Sequence, residues 1–155
     1  RPEARLKEYF RRFSFYMEAF TINCFLLQYG NGDTVHYTYN NNDLVSSKWF
    51  DDSAQKVYYD YNSDSQLGLV RDEIQNTRTR YTYDLAGRLI KEEVLPHAQS
   101  KQFRNVVTEY SYLQGTDSSK TTTLLDTVTQ DGVVTQYTYD ATGSITQISE
   151  DGVVK

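Results

Sequence analysis

Residues 81–89 read YTYDLAGRL, and much the same string returns at residues 137–145 as YTYDATGSI. Side chains on a strand alternate between faces, so Tyr81 and Tyr83 point the same way with Thr82 opposite. Asp84 suits the first position of a type I turn and Gly87 the fourth. A Gly there also takes the left-handed conformation of a bulged hairpin at little steric cost. Arg88-Leu89-Ile90 then begins the return strand. The tyrosine pair is the end of one strand, and DLAG is the hairpin that reverses it.

Working outward, the Tyr-x-Tyr pair occurs five times, as Tyr37/Tyr39, Tyr59/Tyr61, Tyr81/Tyr83, Tyr110/Tyr112 and Tyr137/Tyr139. Successive second tyrosines are separated by 22, 22, 29 and 27 residues. A fixed period marks a repeat architecture. Three units share the period, and the last two carry insertions, which the sequence assigns to the polar stretches Leu95 to Arg104 and Gln114 to Lys120. Asp140-Ala141-Thr142-Gly143 repeats the turn of residues 84–87, while Asn40-Asn41-Asn42-Asp43 and Asn62-Ser63-Asp64-Ser65 are weaker copies. Asp43 tolerates the left-handed state moderately, and Ser65 is a poorer substitute for Gly.

A second turn class alternates with the first. Asn31-Gly32 and Asp131-Gly132 are two-residue hairpin signals between strand-like runs. Asp51-Asp52-Ser53-Ala54 holds the equivalent place in the second unit, and Asp151-Gly152 begins another such turn. Each unit is therefore two strands and two turns. About ten strands are expected, near 34–39, 44–50, 55–61, 67–74, 78–83, 88–94, 106–112, 121–130, 133–139 and 145–149. The expected class is all-β: an antiparallel meander of hairpins in a curved sheet, over residues 28–155, preceded by a short N-terminal helix.

That helix is expected within residues 1–27, which stand outside the repeat. Leu6, Phe10, Phe13, Met17 and Phe20 fall at 4-3-4-3 spacing, one face of a helix. Arg1, Arg5, Lys7, Arg11 and Arg12 make its start basic. A basic start before FSFYMEAFTINCFLL has some likeness to a signal peptide, but Glu18 and Asn23 interrupt the apolar run and no small-residue cleavage site follows.

Composition narrows the function classes. Fourteen tyrosines stand beside two prolines and one tryptophan in 155 residues. Tyr, Thr and Val favour strands because branched and aromatic side chains fit a pleated, half-buried surface. A mean hydropathy of −0.67 argues against a thick apolar core. A net charge of −5 with scattered Lys and Arg gives no basic stripe for nucleic acid. Cys24 is alone, so it forms no intrachain disulfide and no cysteine-based zinc site. No run approaches ~18 apolar residues, so no membrane span is expected.

Laid out in this way, the chain resembles the YD-repeat, or Rhs-repeat, family, whose hallmark is Tyr-x-Tyr-Asp-x-x-Gly-Arg-Leu followed by a Gly turn. YTYDLAGRL matches it throughout, through Tyr81, Tyr83, Asp84, Gly87 and Arg88, and YTYDATGSI departs at Ser144 and Ile145. The segment YSYLQGTDSSKTTTLLDTVTQDG looks like a variant linker of cell-surface members from Gram-positive bacteria. The resemblance covers roughly residues 28–155. It implies a β-sheet strip that spirals into a large hollow shell. Relatives of that kind include Rhs polymorphic toxins, wall-associated proteins, C components of insecticidal toxin complexes, and teneurins. In toxin members the shell encloses a C-terminal toxic domain, and the terminal portion carries a core region with an aspartate-linked self-cleavage site. Neither feature is found in these residues, so cleavage and toxicity are not carried over. The implied partners are neighbouring repeats and an enclosed C-terminal domain, and the implied location is extracellular or at the bacterial cell surface.

No constellation points to an enzyme, a cofactor or a metal. His36 lies in a strand beside Tyr37 and His97 follows Pro96 in a loop, neither with a partner nearby in sequence. Spacing gives no support to Cys24 paired with either. Asp60, Asn62 and Asp64 mimic the start of an EF-hand loop, but Ser65 replaces its Gly and Arg71 its bidentate Glu. Asp51-Asp52, Asp72-Glu73 and Glu92-Glu93 split across a strand's two faces and read as solvated surface. The tyrosines carry two readings. As structure, stacked pairs build cross-strand ladders. As a site, exposed rings beside Asn and Asp bind cell-surface glycans. The tie of Tyr to turn position favours the first. An isolated array of this kind is expected to be marginally stable or self-associating, because its ends need covering.

Overall fold

The structure, a computed structural model, describes residues 9–17, 20–30, 32–51, 53–96, 104–115 and 121–155. The chain divides into two compact units, Arg1–Arg78 and Thr79–Lys155. The first contains β1 (Tyr9–Met17), β2 (Phe20–Gln28), β3 (Thr34–Tyr39), β4 (Val45–Phe50), β5 (Val57–Tyr61) and β6 (Leu67–Asp72). Each strand pairs antiparallel with the next. In the second, β7 (Thr77–Tyr83) starts at the boundary, followed by β8 (Leu89–Pro96), β9 (Val106–Gln114), β10 (Thr121–Gln130), β11 (Val133–Tyr139), β12 (Ile145–Glu150) and β13 (Val153–Val154). These again neighbour one another in chain order, antiparallel from β8 to β13. The architecture is all-β, and the ten strands expected from the repeat are β3 to β12.

The N-terminal helix does not form among the described residues. Tyr9–Met17 and Phe20–Gln28 are strands, paired from Tyr9↔Gln28 to Met17↔Phe20. Residues 1–8 and 18–19 of the expected leader lie outside the described residues. The segments are rich in Phe, Tyr, Ile and Thr, which favour a pleated surface. β2 also pairs with β3 from Cys24↔Thr38 to Gln28↔Thr34, so the repeat sheet continues through it. Tertiary pairing outweighs a helical spacing that rests on five residues.

Burial is thin. Among the described residues the only buried hydrophobic side chains are Val35 (1% exposed) and Val57 (6%). Both lie on the tyrosine-bearing side: Val35, Tyr37 and Tyr39 alternate together along β3, and Val57, Tyr59 and Tyr61 along β5. Register joins the two sets through Tyr37↔Lys48 and Lys48↔Val57. In the second unit β7 and β11 keep Tyr81, Tyr83, Tyr137 and Tyr139 half-buried, while Arg80, Thr82, Gln136 and Thr138 between them are exposed. Among the residues whose burial is described, stability therefore rests on strand ladders and half-covered rings.

Candidate functional site

The repeated feature with most chemistry is the turn that follows four of the five tyrosine pairs. Its first residue is Asn40, Asn62, Asp84 or Asp140, and the hydrogen bonds are the same in all four. The first amide donates to the carbonyl four residues on (Leu44, Gln66, Arg88, Ser144) at 2.8–2.9 Å. The amides of Asp43, Ser65, Gly87 and Gly143 donate back to the first carbonyl at 3.0–3.1 Å. The first side chain's Oδ1 accepts from the amides two and four residues on, for Asp84 those of Ala86 and Arg88, both at 2.9 Å. Asn40, Asn62 and Asp140 do the same. The residue before the last is left-handed each time, with φ of 58° at Asp43, 62° at Ser65, 80° at Gly87 and 84° at Gly143. The Asn and Ser copies are thus full equivalents in geometry, with strain where a side chain replaces Gly.

Charge separates the copies. The Arg88 amide, and then its guanidinium, hold the Asp84 carboxyl below the usual carboxylate range. The hydroxyl of Thr142 does so for Asp140, helped by the Ser144 amide. Arg88 also pairs with Asp84 Oδ2 at 2.7 Å, donates to the Thr122 carbonyl at 2.7 Å, and covers the Tyr112 ring at 4.5 Å.

The second turn class carries a hydrogen-bonded device at three acids, of which the sequence reading took Asp51 and Glu73 as solvated surface and Asp151 as the start of a turn. Asp51 Oδ1 accepts from the Thr34 amide at 2.7 Å, Glu73 Oε2 from the Lys56 amide at 3.0 Å, and Asp151 Oδ1 from the Val134 amide at 2.9 Å. In return the acid's own amide donates to the carbonyl of Thr34, Lys56 or Val134. Each acid stands 17 residues after its partner. The Thr34 amide, chiefly, lowers the Asp51 pKa. The signal was present in sequence: Asp51, Glu73 and Asp151 each follow the first turn residue (Asn40, Asn62, Asp140) by 11. At the matching position after Asp84 stands Leu95, where the period is lost.

The hairpin-turn candidates divide. Asp131-Gly132 and Asp151-Gly152 are left-handed at both positions, with φ of 54° and 87°, and 47° and 83°, as a two-residue type I′ hairpin requires. Gly32 instead belongs to the first class. Its amide donates to the Tyr29 carbonyl at 3.0 Å, and the Tyr29 amide donates to the Asp33 carbonyl at 2.8 Å. Asn31 lies outside the described residues. The loop has one residue more than a two-residue hairpin, because Gly30 and Gly32 flank Asn31.

The tyrosine hydroxyls link successive hairpins. Tyr61 donates to the Val45 carbonyl at 2.9 Å and Tyr112 to the Leu89 carbonyl at 2.7 Å. Val45 and Leu89 are equivalent, the fifth residue after Asn40 and Asp84. Tyr110 donates to Glu92 Oε2 at 3.3 Å. Burial, then Glu92, raises the pKa of Tyr110 and of Tyr81, and burial raises that of Tyr61. Tyr37, Tyr39, Tyr59, Tyr83, Tyr137 and Tyr139 are likewise half-buried.

The remaining described candidates make the following contacts. The His36 and Trp49 rings stack at 5.0 Å and 6°, and Lys56 covers Trp49 at 4.0 Å. Arg71, in the twelfth place of the EF-hand likeness, pairs with Asp60 at 3.4 Å. Glu92 and Glu93 do split: Glu92 accepts from Tyr110, and Glu93 pairs with Arg80 at 3.1 Å. No group of three metal-ligating side chains occurs among the described residues. His97 lies outside them. No protein-family model matches the chain, and no curated protein matches it.

Proposed function

We propose that the chain is a non-enzymatic structural repeat segment of a YD-repeat protein, building β-sheet wall for a shell that encloses or displays a C-terminal, toxin-like domain. The observation that carries this is the repeated join between hairpins. Four turns share one hydrogen-bond scheme, and in two places a tyrosine hydroxyl reaches the equivalent carbonyl of the hairpin before it. Such an arrangement extends by adding units, each contacting its neighbours. Its partners are further repeats and the enclosed domain, and its place is outside the cell or at the bacterial surface, by resemblance.

The glycan-binding alternative needs open ring faces. The Tyr-x-Tyr rings are half-buried, and Trp49 has His36 on one side and Lys56 near its ring, which weighs toward the architectural role. Sequencing the coding DNA on both sides of these residues tests the proposal. Further Tyr-x-Tyr-Asp units and a distinct C-terminal domain in frame are expected. A start and a stop bounding these residues would overturn it.

A further inference from the structure

Glu92 on β8 stands between two tyrosines. β8 neighbours β7 and β9 in the sheet, and Glu92 faces Thr108 of β9. Tyr110 lies two residues along β9 from Thr108, on the same face, and its hydroxyl donates to Glu92 Oε2 at 3.3 Å. Tyr81 of β7 feels the same carboxylate, and both phenols are held above the ordinary tyrosine pKa, first by burial and then by Glu92. All three side chains are half-buried. Each phenol therefore keeps its proton at neutral pH beside a group that can accept one.

Other rings are placed differently. Tyr61 and Tyr112 donate to the Val45 and Leu89 carbonyls, and a backbone carbonyl is too weak a base to take a phenolic proton. Cations lie over the Tyr112 ring (Arg88, 4.5 Å), the Tyr58 ring (Arg71, 5.0 Å) and the one tryptophan, Trp49 (Lys56, 4.0 Å). A positive charge on a ring face opposes removal of an electron from that ring. Tyr110 has a carboxylate at its oxygen instead. A phenol that loses one electron becomes a strong acid, and the step is complete only when the proton leaves. A base already within hydrogen-bond reach takes that proton without waiting for water or buffer.

We infer that Tyr110 is a one-electron oxidation site, with Glu92 as the acceptor of its phenolic proton. The oxidant is a high-valent metal centre of the kind that removes single electrons from phenols, such as a peroxidase haem. The oxidant gains one electron, the Tyr110 O–H bond breaks, an O–H bond forms on Glu92 Oε2, and a neutral phenoxyl radical remains. Returning one electron to the radical draws the proton back from Glu92. Two phenoxyl radicals join ring carbon to ring carbon without further loss of atoms, so the partner class of the oxidised site is a second phenol. This inference stands apart from the repeat-wall reading.

To test it, the full chain is irradiated with ruthenium tris-bipyridyl and a cobalt(III) electron acceptor in the presence of a nitroso spin trap, and adducts are assigned by peptide mass spectrometry. Tyr110 is expected to carry at least ~fivefold more adduct than Tyr61 or Tyr112, a fraction of what a positioned base contributes. Those two are also half-buried, so burial alone predicts no such difference. Glu92→Gln keeps an oxygen that accepts from Tyr110 but no longer takes a proton. It should bring Tyr110 down to the level of the other two and leave their adducts unchanged. Amide hydrogen exchange across β8 and β9 checks that the variant keeps its fold. Equal adduct on the three tyrosines of the unaltered chain, or undiminished adduct on Tyr110 in a folded Glu92→Gln variant, overturns the inference. The first comparison needs no variant, so it decides the matter even where Glu92→Gln fails to fold.

Discussion

Arg88 lies over the Tyr112 ring at 4.5 Å while closing its own turn on Asp84 at 2.7 Å. One side chain therefore ties the turn that precedes β8 to β9. Tyr112→Phe is expected to cost about 1 kcal/mol, the net value of its hydrogen bond to the Leu89 carbonyl. Arg88→Ala should cost more than Tyr112→Phe, because it also leaves the Thr122 carbonyl without its donor. A double-mutant cycle of Arg88→Ala with Tyr112→Leu in urea melts should show coupling of about 0.5–1 kcal/mol. Strict additivity would remove Arg88 from the join.

The left-handed positions predict opposite effects from opposite substitutions. Ser65→Gly relieves a side chain held at φ 62° and should raise stability by about 1 kcal/mol. Gly87→Ala, at φ 80°, should lower it by about 1–2 kcal/mol. Thermal melts of the two variants check both signs.

Asp51, Asp84 and Asp140 all have lowered pKa values in the fold. A group so shifted contributes stability above its unfolded pKa, about 3.9, and loses it as pH falls through the folded value. Stability should therefore drop below about pH 4. Asp84→Asn should keep the turn, as Asn40 and Asn62 do, yet flatten part of that acid limb. Stability measured against pH in urea decides it, and an unchanged limb counts against the assignment.

The alkaline side has the reverse origin. Tyr61, Tyr81 and Tyr110 have raised pKa values, chiefly from burial. The unfolded chain gives up these protons first, so stability should fall as pH rises past about 10. Phenolate absorbance of the folded protein should show a late-titrating class that Tyr110→Phe diminishes.

Residues 34–150 were largely legible because their signals are local. Tyr-x-Tyr sets the face, Asp84 and Gly87 set the turn, and the structure differs from the expected strand ends by a residue or two. What escaped was non-local. Asp51, Glu73 and Asp151 bond an amide 17 residues earlier, a partner that shows only when their common spacing of 11 from Asn40, Asn62 and Asp140 is read across units rather than within one turn. The tyrosine hydroxyls reach across hairpins in the same way. In the described part of the expected leader, Tyr9–Met17 and Phe20–Gln28 are strands, since apolar residues at helical spacing also suit a strand when a paired neighbour, β3, extends the sheet to them.

Consecutive pairing also fixes how the chain answers to force. In each unit neighbours in the sheet are neighbours along the chain, and every described pair is antiparallel. Pulling two such strands apart from their open ends breaks ladder bonds one after another, in contrast to shearing, which loads many together. A sheet paired in this way resists opening only as far as its outermost strand is held. Once its edge is freed it ravels, one hairpin at a time.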